Sequence, residues 1–224
     1  MNISNEIKSN KCLIHYGHLF NCAGLQSDKV AKLYGVALKY KILPFKGLYW
    51  DLKSTAPFKI NTNLYPVPDL SMPFLGIHAT PTINGNGTFG PTAIPAFGIE
   101  NYKTFENIEA LNSVKFFRDL FEQFLLNKNN FRRYAFNQAL LGIKPLFLKS
   151  LQEIIPSVRN EHLALSSKVG IRSQLFDNKS KILVNDFVVE EYLNSTHILN
   201  AISPAFTSSF ALADLIIEKN KIFS

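Results

Sequence analysis

Two side chains in this sequence have the chemistry to hold a carboxylate and to remove a proton. Arg172 ends a short apolar run in GIRSQ, and its planar guanidinium can bind a carboxylate through two parallel hydrogen bonds. His78 lies in the apolar run FLGIHAT, and histidine is the side chain whose pKa is nearest to neutral pH. A surface ion pair for Arg172 and a hydrogen-bonded core position for His78 are the competing interpretations.

Tyr49 and the segment 200–209 are further candidates. Tyr49, in KGLYW, can orient a substrate or simply fill the core. Residues 200–209 carry the signals of a helix start, with Ser203 as N-cap and Pro204 at the first helical position. Because a helix N-terminus presents free N–H groups and partial positive charge, this segment can stabilise an anion, and a plain helix cap is the alternative.

The composition limits the class of protein. With 224 residues and 46% hydrophobic content, the chain can bury one large core or two modest ones. The net charge of +7 arises from Lys and Arg spread along the whole length, which favours a solvated surface. Neither a signal peptide nor a membrane span is visible, so we expect a cytoplasmic protein. Cys12 and Cys22 lack disulfide or zinc spacing, and we expect buried thiols and no metal.

The pattern of the chain predicts alternating structural types. Residues 18–35 read as a strand, a tight Gly turn and a helix, with Asp28 in its first turn and Gly35 at its end. Residues 41–98 read as an antiparallel sheet punctuated by Pro and Gly, and the NGNG stretch at 84–87 predicts a hairpin.

The second half of the chain begins with two or three basic, amphipathic helices, predicted over residues 107–155. Their basic face permits docking on an anionic membrane surface, although an ordinary solvated face is the simpler interpretation. A polar connection is predicted at 160–168, followed by short β runs. A terminal helix is expected to present Phe206, Phe210, Ala213 and Ile217 on one face.

The order of the motifs resembles a known family. The segments are FNCAGLQSDKVA, LPFKGLYW, NLYPVPDLSMPFLGIHATP, GPTAIPAF, GIRSQLF, DFVVE and HILNAISPAFTSS. Together, and over nearly the whole chain, they are similar to FAD-dependent oxidoreductases of the D-amino-acid oxidase superfamily, and most similar to its L-2-hydroxyglutarate dehydrogenases.

The resemblance implies a mixed α+β and α/β fold. It implies a partial, Rossmann-like FAD-binding domain and a substrate domain that combines an antiparallel sheet with helices. The expected division is 1–40 for a segment of the FAD-binding domain, 41–168 for the substrate domain, and 169–224 for a return to the FAD-binding domain.

The resemblance also implies roles for the candidate residues. The parent reaction is oxidation of a 2-hydroxy acid such as L-2-hydroxyglutarate to 2-oxoglutarate, with FAD as the cofactor. Arg172 and Tyr49 then bind the substrate, and His78 and Arg172 act in catalysis. The residues expected to contact FAD are Ala23, Gly24, Asp28, Asn200, Ser203, Pro204, Thr207 and Ser208.

One departure from the family limits this expectation. Its members begin with a GxGxxG turn that lets the backbone approach a pyrophosphate, and no such turn precedes Phe20 here. We therefore expect an incomplete FAD site and a companion chain that carries the missing half.

Other functions stay open. The alternatives are a noncatalytic remnant or interaction module, an amino-acid oxidase of the same fold, and, less favoured, a basic domain that binds membrane or nucleic acid. No nucleic-acid partner is expected, and a peripheral contact with the inner membrane is left as an alternative.

Overall fold

The computed structural model describes residues 5–8, 10–67, 76–202 and 205–220. The strands are β1 Glu6–Lys8, β2 Leu13–His15, β3 Leu19–Asn21, β4 Tyr40–Leu52, β5 His78–Pro81, β6 Gly87–Gly90, β7 Ile94–Pro95, β8 Leu163–Asp177, β9 Ile182–Leu183, β10 Val188–Tyr192 and β11 Ser195–Asn200. The α-helices are α1 Ser27–Leu33, α2 Ala110–Leu126, α3 Phe131–Leu141, α4 Lys144–Gln152 and α5 Ser209–Asn220.

A six-stranded antiparallel sheet forms the centre of the molecule. Its strand order is β5-β6-β4-β8-β9, and the short β7 pairs with β4. The long strands β4 and β8 pair along their whole length, from Tyr40 opposite Asp177 to Leu52 opposite Leu163. β4 is rich in aromatic and branched residues, which pack well on a pleated surface. This pairing fixes the register of every residue that the two strands carry.

Three helices cover this sheet and bury two apolar clusters. Phe116 of α2 and Phe131 of α3 pack with Leu43 and Phe45 of β4. A second cluster, built around Phe147 of α4, has the members Leu52, Ile60, Ile77, Ala79, Phe89, Phe147, Leu151, Ile155, Val158 and Leu163. The spacing of three or four residues between apolar positions in these helices creates the faces that the sheet receives.

A smaller sheet has the order β10-β11-β3, and β3 runs parallel to β11. Helix α1 follows β3 and joins a third cluster, in which Ala31 meets Tyr40, Leu175 and Leu199. This cluster connects the smaller sheet to the far ends of β4 and β8. β1 and β2 form a separate antiparallel pair.

Several predictions from the sequence are confirmed. The NGNG stretch joins β5 and β6 as an antiparallel hairpin, with Gly85 at a φ of 77°. Three helices occupy the region predicted to be helical, and a strand, a Gly turn and a helix follow one another from Leu19 to Leu33. Gly35, at a φ of 79°, lies just after the end of α1 as expected.

Three predictions are wrong. The segment 160–168 was expected to be a polar connection but is largely strand, since β8 begins at Leu163. Its Ser and Lys side chains lie on a partly exposed surface of the sheet. The thiols of Cys12 and Cys22 are exposed, since the short strands beside them lack a covering layer among the described residues. Helix α5 begins at Ser209, later than predicted, after a turn in residues 205–208.

The predicted apolar face of the last helix does not face the core. Phe206 is 92% exposed and Phe210 is 84% exposed, whereas Ile216, one residue from the predicted stripe, is buried. Ala213 is exposed as well. A periodic apolar pattern identifies a helix, but the element that covers it is set by the tertiary fold.

No helix in the described part of the chain is long and apolar enough to cross a bilayer. Within the same ranges, no group of three or more His, Cys, Asp and Glu residues could hold a metal ion.

Candidate functional site

The pairing of β4 and β8 places Arg172 two positions from Gly170, on the same face of the sheet. Arg172 lies opposite Phe45, and Gly170 lies opposite Gly47. Alternate residues of a strand share a face, and directly opposed residues of antiparallel strands share it too. A Cβ atom at Gly170 would have nothing within 4 Å, so the strand surface beside Arg172 is open.

A β-bulge lies at the other end of this open strip. Leu48 pairs with Val169 and Trp50 pairs with Leu165, so residues 166–168 of β8 face Tyr49 alone. The Nζ atom of Lys168 lies 4.7 Å from the centroid of the Tyr49 ring. Because alternate residues of a strand share a face, Lys168 is a second cation on the surface that carries Arg172.

His78 joins this surface from the outer hairpin. It begins β5 and lies opposite Gly90 of β6. A Cβ atom at Gly90 would lie 2.7 Å from the carbonyl oxygen of Leu48 and 3.0 Å from Cδ1 of Tyr49, so only glycine permits this close approach. The hairpin can therefore hold His78 near Tyr49, with Nδ1 of His78 3.3 Å from the carbonyl oxygen of Gly76.

The electrostatics link the histidine to both cations. Burial lowers the pKa of His78, the positive charges of Arg172 and Lys168 lower it further, and the hydrogen bond with Gly76 partly opposes them. A histidine with a lowered pKa is neutral at physiological pH, which is the form that accepts a proton. Burial also lowers the pKa of Arg172, yet a guanidinium stays charged at neutral pH.

Two residues of this surface were missed by the sequence-based reasoning. Tyr134 of α3 is buried. Burial raises the pKa of its hydroxyl, and the positive charge of Arg172 lowers that pKa in part. It lies three residues after Phe131, so an apolar helical stripe offered a signal only for packing. Lys168 was missed although it lies four positions before Arg172, a spacing that places both side chains on one face of a strand.

The residues expected to contact FAD lie in the smaller sheet and its turns. Asn21 Oδ1 accepts a hydrogen bond of 3.2 Å from the backbone N–H of Ala23. Gly24 follows with a φ of 54°, and a Cβ there would meet nothing within 4 Å. Asp28 is buried in the first turn of α1 and pairs with Lys32 at 2.9 Å. It also lines a cleft of about 220 Å³ between α1, β4 and α2.

Asn200, at the end of β11, is 1% exposed. Its Nδ2 donates to the carbonyl oxygens of Val184 and Asp186, at 3.2 and 2.7 Å. Its buried Oδ1 has no hydrogen-bond partner among the described residues. Gln174, two positions beyond Arg172 on β8, donates to the same Val184 oxygen at 2.8 Å. The hydrogen bonds of Gln174 and Asn200 to the same carbonyl oxygen of Val184 connect β8, which carries Arg172, to the end of β11.

The remaining predicted residues lie near the start of the last helix. Ser203 and Pro204 lie outside the described residues. Thr207 and Ser208 lie in the turn that precedes α5, and the carbonyl oxygen of Ser208 accepts from Leu212 N–H at 2.9 Å. The helix N-terminus therefore falls a few residues later than the sequence predicted.

A buried histidine, also missed in the sequence, organises this side of the molecule. His197 is fully buried, with Nδ1 3.0 Å from Nδ2 of Asn21 and Nε2 3.0 Å from Oγ of Ser195. Since the amide of Asn21 donates, His197 carries its proton on Nε2 and is neutral. Burial lowers its pKa, which favours the same form. His197 thus fixes Asn21 and the turn that follows it.

The spacing GxGxxG does occur in the chain, at residues 85–90. The structure places these glycines in the β5–β6 hairpin, where no helix follows. A phosphate cradle requires a glycine turn that leads into a helix N-terminus. The GxGxxG spacing at residues 85–90 therefore does not form a phosphate cradle.

Comparisons with known proteins agree with this architecture. The family model "DAO: FAD dependent oxidoreductase" matches residues 6–219. A mitochondrial L-2-hydroxyglutarate dehydrogenase from Caenorhabditis elegans is 36% identical over 89% of this chain and 46% of its own length. An L-2-hydroxyglutarate dehydrogenase from Indibacter alkaliphilus is 34% identical over 97% of this chain and 54% of its own length.

A solved structure shares the fold. It is described as dithionite-reduced L-alpha-glycerophosphate oxidase from Mycoplasma pneumoniae with FAD bound, with a TM-score of 0.52 and 17% identity. The match covers 87% of this chain and 40% of that protein. The chain spans about half the length of the curated relatives that it matches. From the family match over most of its residues, the chain belongs to the DAO family of FAD-dependent oxidoreductases.

Proposed function

We propose that this chain supplies the substrate-binding part of an FAD-dependent 2-hydroxy acid dehydrogenase that oxidises L-2-hydroxyglutarate to 2-oxoglutarate. The observation that carries the proposal is the gathering of Arg172, Tyr49 and His78 from three strands of one sheet. Relatives that bear the name of this activity match most of the chain.

Each group has a distinct role in the proposed reaction. The guanidinium of Arg172 binds the substrate carboxylate beside the hydroxyl, through charge-assisted hydrogen bonds. Neutral His78 accepts the hydroxyl proton as the hydride leaves the α carbon. Tyr49 forms a wall of the site and orients the substrate between these two residues. FAD, when bound, supplies the hydride acceptor.

The residues of the smaller sheet fit a flavin. The buried Oδ1 of Asn200 is a hydrogen-bond acceptor that has no donor among the described residues. A flavin ring carries one N–H donor on its polar edge, which could satisfy it. Gly24 leaves open space at its turn, as a close approach to a cofactor requires. Thr207 and Ser208 lie beside the start of α5, whose N–H groups favour negative charge.

The division of the chain at residues 40 and 168 stays a prediction, and so do the cellular location and any contact with a membrane. We also propose a companion segment that carries a phosphate-binding turn. This part of the proposal is supported by the greater length of the relatives and by the position of β3 at the edge of its sheet. An edge strand offers unpaired backbone groups to a further strand.

The test is a paired measurement of flavin binding and turnover. The purified chain is incubated with FAD, with and without the N-terminal half of a relative, and flavin absorbance after gel filtration is recorded. Dye reduction is then measured with L-2-hydroxyglutarate and with L-glutamate. Reduction by the hydroxy acid alone is expected, reduction by glutamate would favour an amino-acid oxidase, and a colourless, inactive mixture would favour a noncatalytic module.

A matched pair of variants tests the site itself. Arg172→Met removes the carboxylate-binding cation and is expected to lower kcat/KM by roughly 100-fold or more, with flavin retained. Arg133→Met, on the exposed surface of α3, removes the same charge elsewhere and should leave kcat/KM unchanged. Equal rates for the two variants would reject the role of Arg172.

A further inference from the structure

Lys168 is the second cation on the surface that carries Arg172, and the proposed function assigns it no role. It is exposed, lies in the bulge of β8, and has its Nζ 4.7 Å from the centre of the Tyr49 ring. Its charge also acts on His78. A second cation on the face that carries Arg172 needs an explanation.

We propose that Lys168 binds the distal carboxylate of the substrate and makes the site selective for five-carbon dicarboxylates. This inference rests on the proposed function, since it takes Arg172 as the partner of the carboxylate beside the reacting carbon. The two cations then hold the two ends of one substrate, with His78 beside the end that reacts.

The spacing of Lys168 and Arg172 along β8 fits the length of the ligand. Arg172 lies four positions after Lys168, which places their Cα atoms about 13 Å apart along the strand. An extended five-carbon diacid has its carboxyl carbons about 5 Å apart, given bonds of about 1.5 Å. Adding a carboxylate oxygen and a hydrogen bond of about 2.8 Å at each end gives roughly 13 Å between the two binding groups, so two long side chains that begin about 13 Å apart on one face can hold the two ends of the ligand.

The space between the two cations supports the same conclusion. Gly170 lies midway, is exposed, and has nothing within 4 Å of its Cβ position. Gly47 lies opposite it on β4 and is covered, because a Cβ atom there would lie 2.7 Å from Cβ of Pro91. The open space is therefore over Gly170, where a methylene chain can lie between the two cations.

The arrangement also explains why the tyrosine matters. The face of an aromatic ring attracts a cation, and it holds the flexible lysine side chain at a defined place on the surface. A lysine that is already positioned loses less conformational entropy when it binds an anion. Tyr49 is then a positioning residue for Lys168 as well as a wall of the site.

The test measures the binding of unreactive acids to the full chain with saturating FAD. Isothermal calorimetry compares glutarate, which has two carboxylates, with butyrate, which has one. The wild type is expected to bind glutarate about tenfold more tightly than butyrate, the effect of one partly exposed charge-assisted contact. Lys168→Met should abolish this preference by weakening glutarate alone.

Two further variants sharpen the result. Lys168→Glu should reverse the preference, so that 4-aminobutyrate, with a cationic distal end, binds more tightly than glutarate. Lys179→Met removes a lysine from the exposed turn beyond β8 and should leave all affinities unchanged. This control separates a local contact from a general effect of net charge.

The outcomes distinguish this inference from the proposed function. If the wild type binds glutarate and butyrate equally, or if Lys168→Met keeps the preference for glutarate, the role of Lys168 is wrong and the proposed function stands. If the wild type binds neither acid, both are wrong. Because Lys168 and Lys179 are exposed, thermal melting should show folded variants in each case.

Discussion

The large sheet and the small sheet of this chain differ in the buried apolar clusters that they hold. The large sheet shares two clusters with its helices, and Phe147 and Phe176 are fully buried there. The small sheet contributes Leu199 to a third, smaller cluster, which it shares with the ends of β4 and β8. Phe20 is 40% exposed and Phe210 of the last helix is 84% exposed, and the helices over the large sheet also expose apolar side chains such as Phe121 and Phe136. The large sheet therefore has a core of its own, whereas the small sheet shares its core with β4 and β8.

The difference parallels the two halves of the candidate site. Among the groups assigned to the substrate, Arg172 and Tyr49 lie on long, paired strands that fix their positions, and His78 begins the short edge strand β5. The groups assigned to the cofactor lie at strand ends and turns, and depend on side-chain hydrogen bonds such as the one between His197 and Asn21. Sites built on paired strands are held more rigidly than sites on turns.

The sharpest test of this comparison replaces one phenylalanine in each region. Phe147→Ala should lower the free energy of unfolding by about 3–5 kcal/mol, because it leaves a cavity under the large sheet. Phe210→Ala should change it by less than about 0.5 kcal/mol, since the ring is exposed on α5. Urea denaturation measures both. A large loss for Phe210→Ala would mean that the last helix is covered in solution.

The next test concerns the chemistry of the large sheet. His78→Gln keeps a hydrogen-bonding side chain but removes the proton acceptor, and kcat should fall by roughly 100-fold. The affinity for glutarate should stay close to that of the wild type, because binding is assigned to the cations. Stopped-flow dye reduction and calorimetry measure the two quantities. Weak glutarate binding with normal kcat would instead make His78 a binding residue.

A smaller effect is expected in the small sheet. His197→Phe removes hydrogen bonds to Asn21 and Ser195 and should cost about 1–2 kcal/mol of stability at pH 7.5. Because burial lowers the pKa of His197, the folded protein binds a proton less readily than the unfolded chain. The wild type should therefore lose stability as the pH falls from about 6.5 through the folded-state pKa.

Urea denaturation at a series of pH values checks this dependence. The variant at position 197 should show a weaker decline below pH 6.5. Parallel curves for the variant and the wild type would show that another group causes the acid sensitivity.

The smallest expected effect is a shift of the pH profile. The positive charge of Lys168 lowers the pKa of His78, so Lys168→Met should raise that pKa. The acid limb of kcat, which reports neutral His78, then moves to higher pH, while Lys179→Met leaves it in place. Rate measurements between pH 5 and pH 8 at saturating substrate test this direction. A shift to lower pH would contradict the proximity of the two side chains.

The sequence by itself determined the types of local structure and the family. Periodic apolar residues predicted the helices between residues 107 and 155, and the NGNG stretch predicted the hairpin that carries His78. These signals are local, because they depend on residues that are close in the chain. The order of motifs indicated the family before any contact was known, and the side-chain chemistry of Arg172 and His78 identified them as candidates.

Only the tertiary structure decided which groups meet. Lys168 meets Tyr49 through the pairing of β8 with β4, and His197 meets Asn21 across two strands that are far apart in the chain. The same is true of the GxGxxG letters, which lie in a hairpin, and of α5, whose predicted core face is exposed. The register of strands, the position of bulges and the element that covers each helix are set by the pairing of distant segments. They cannot be predicted from the local pattern of residues.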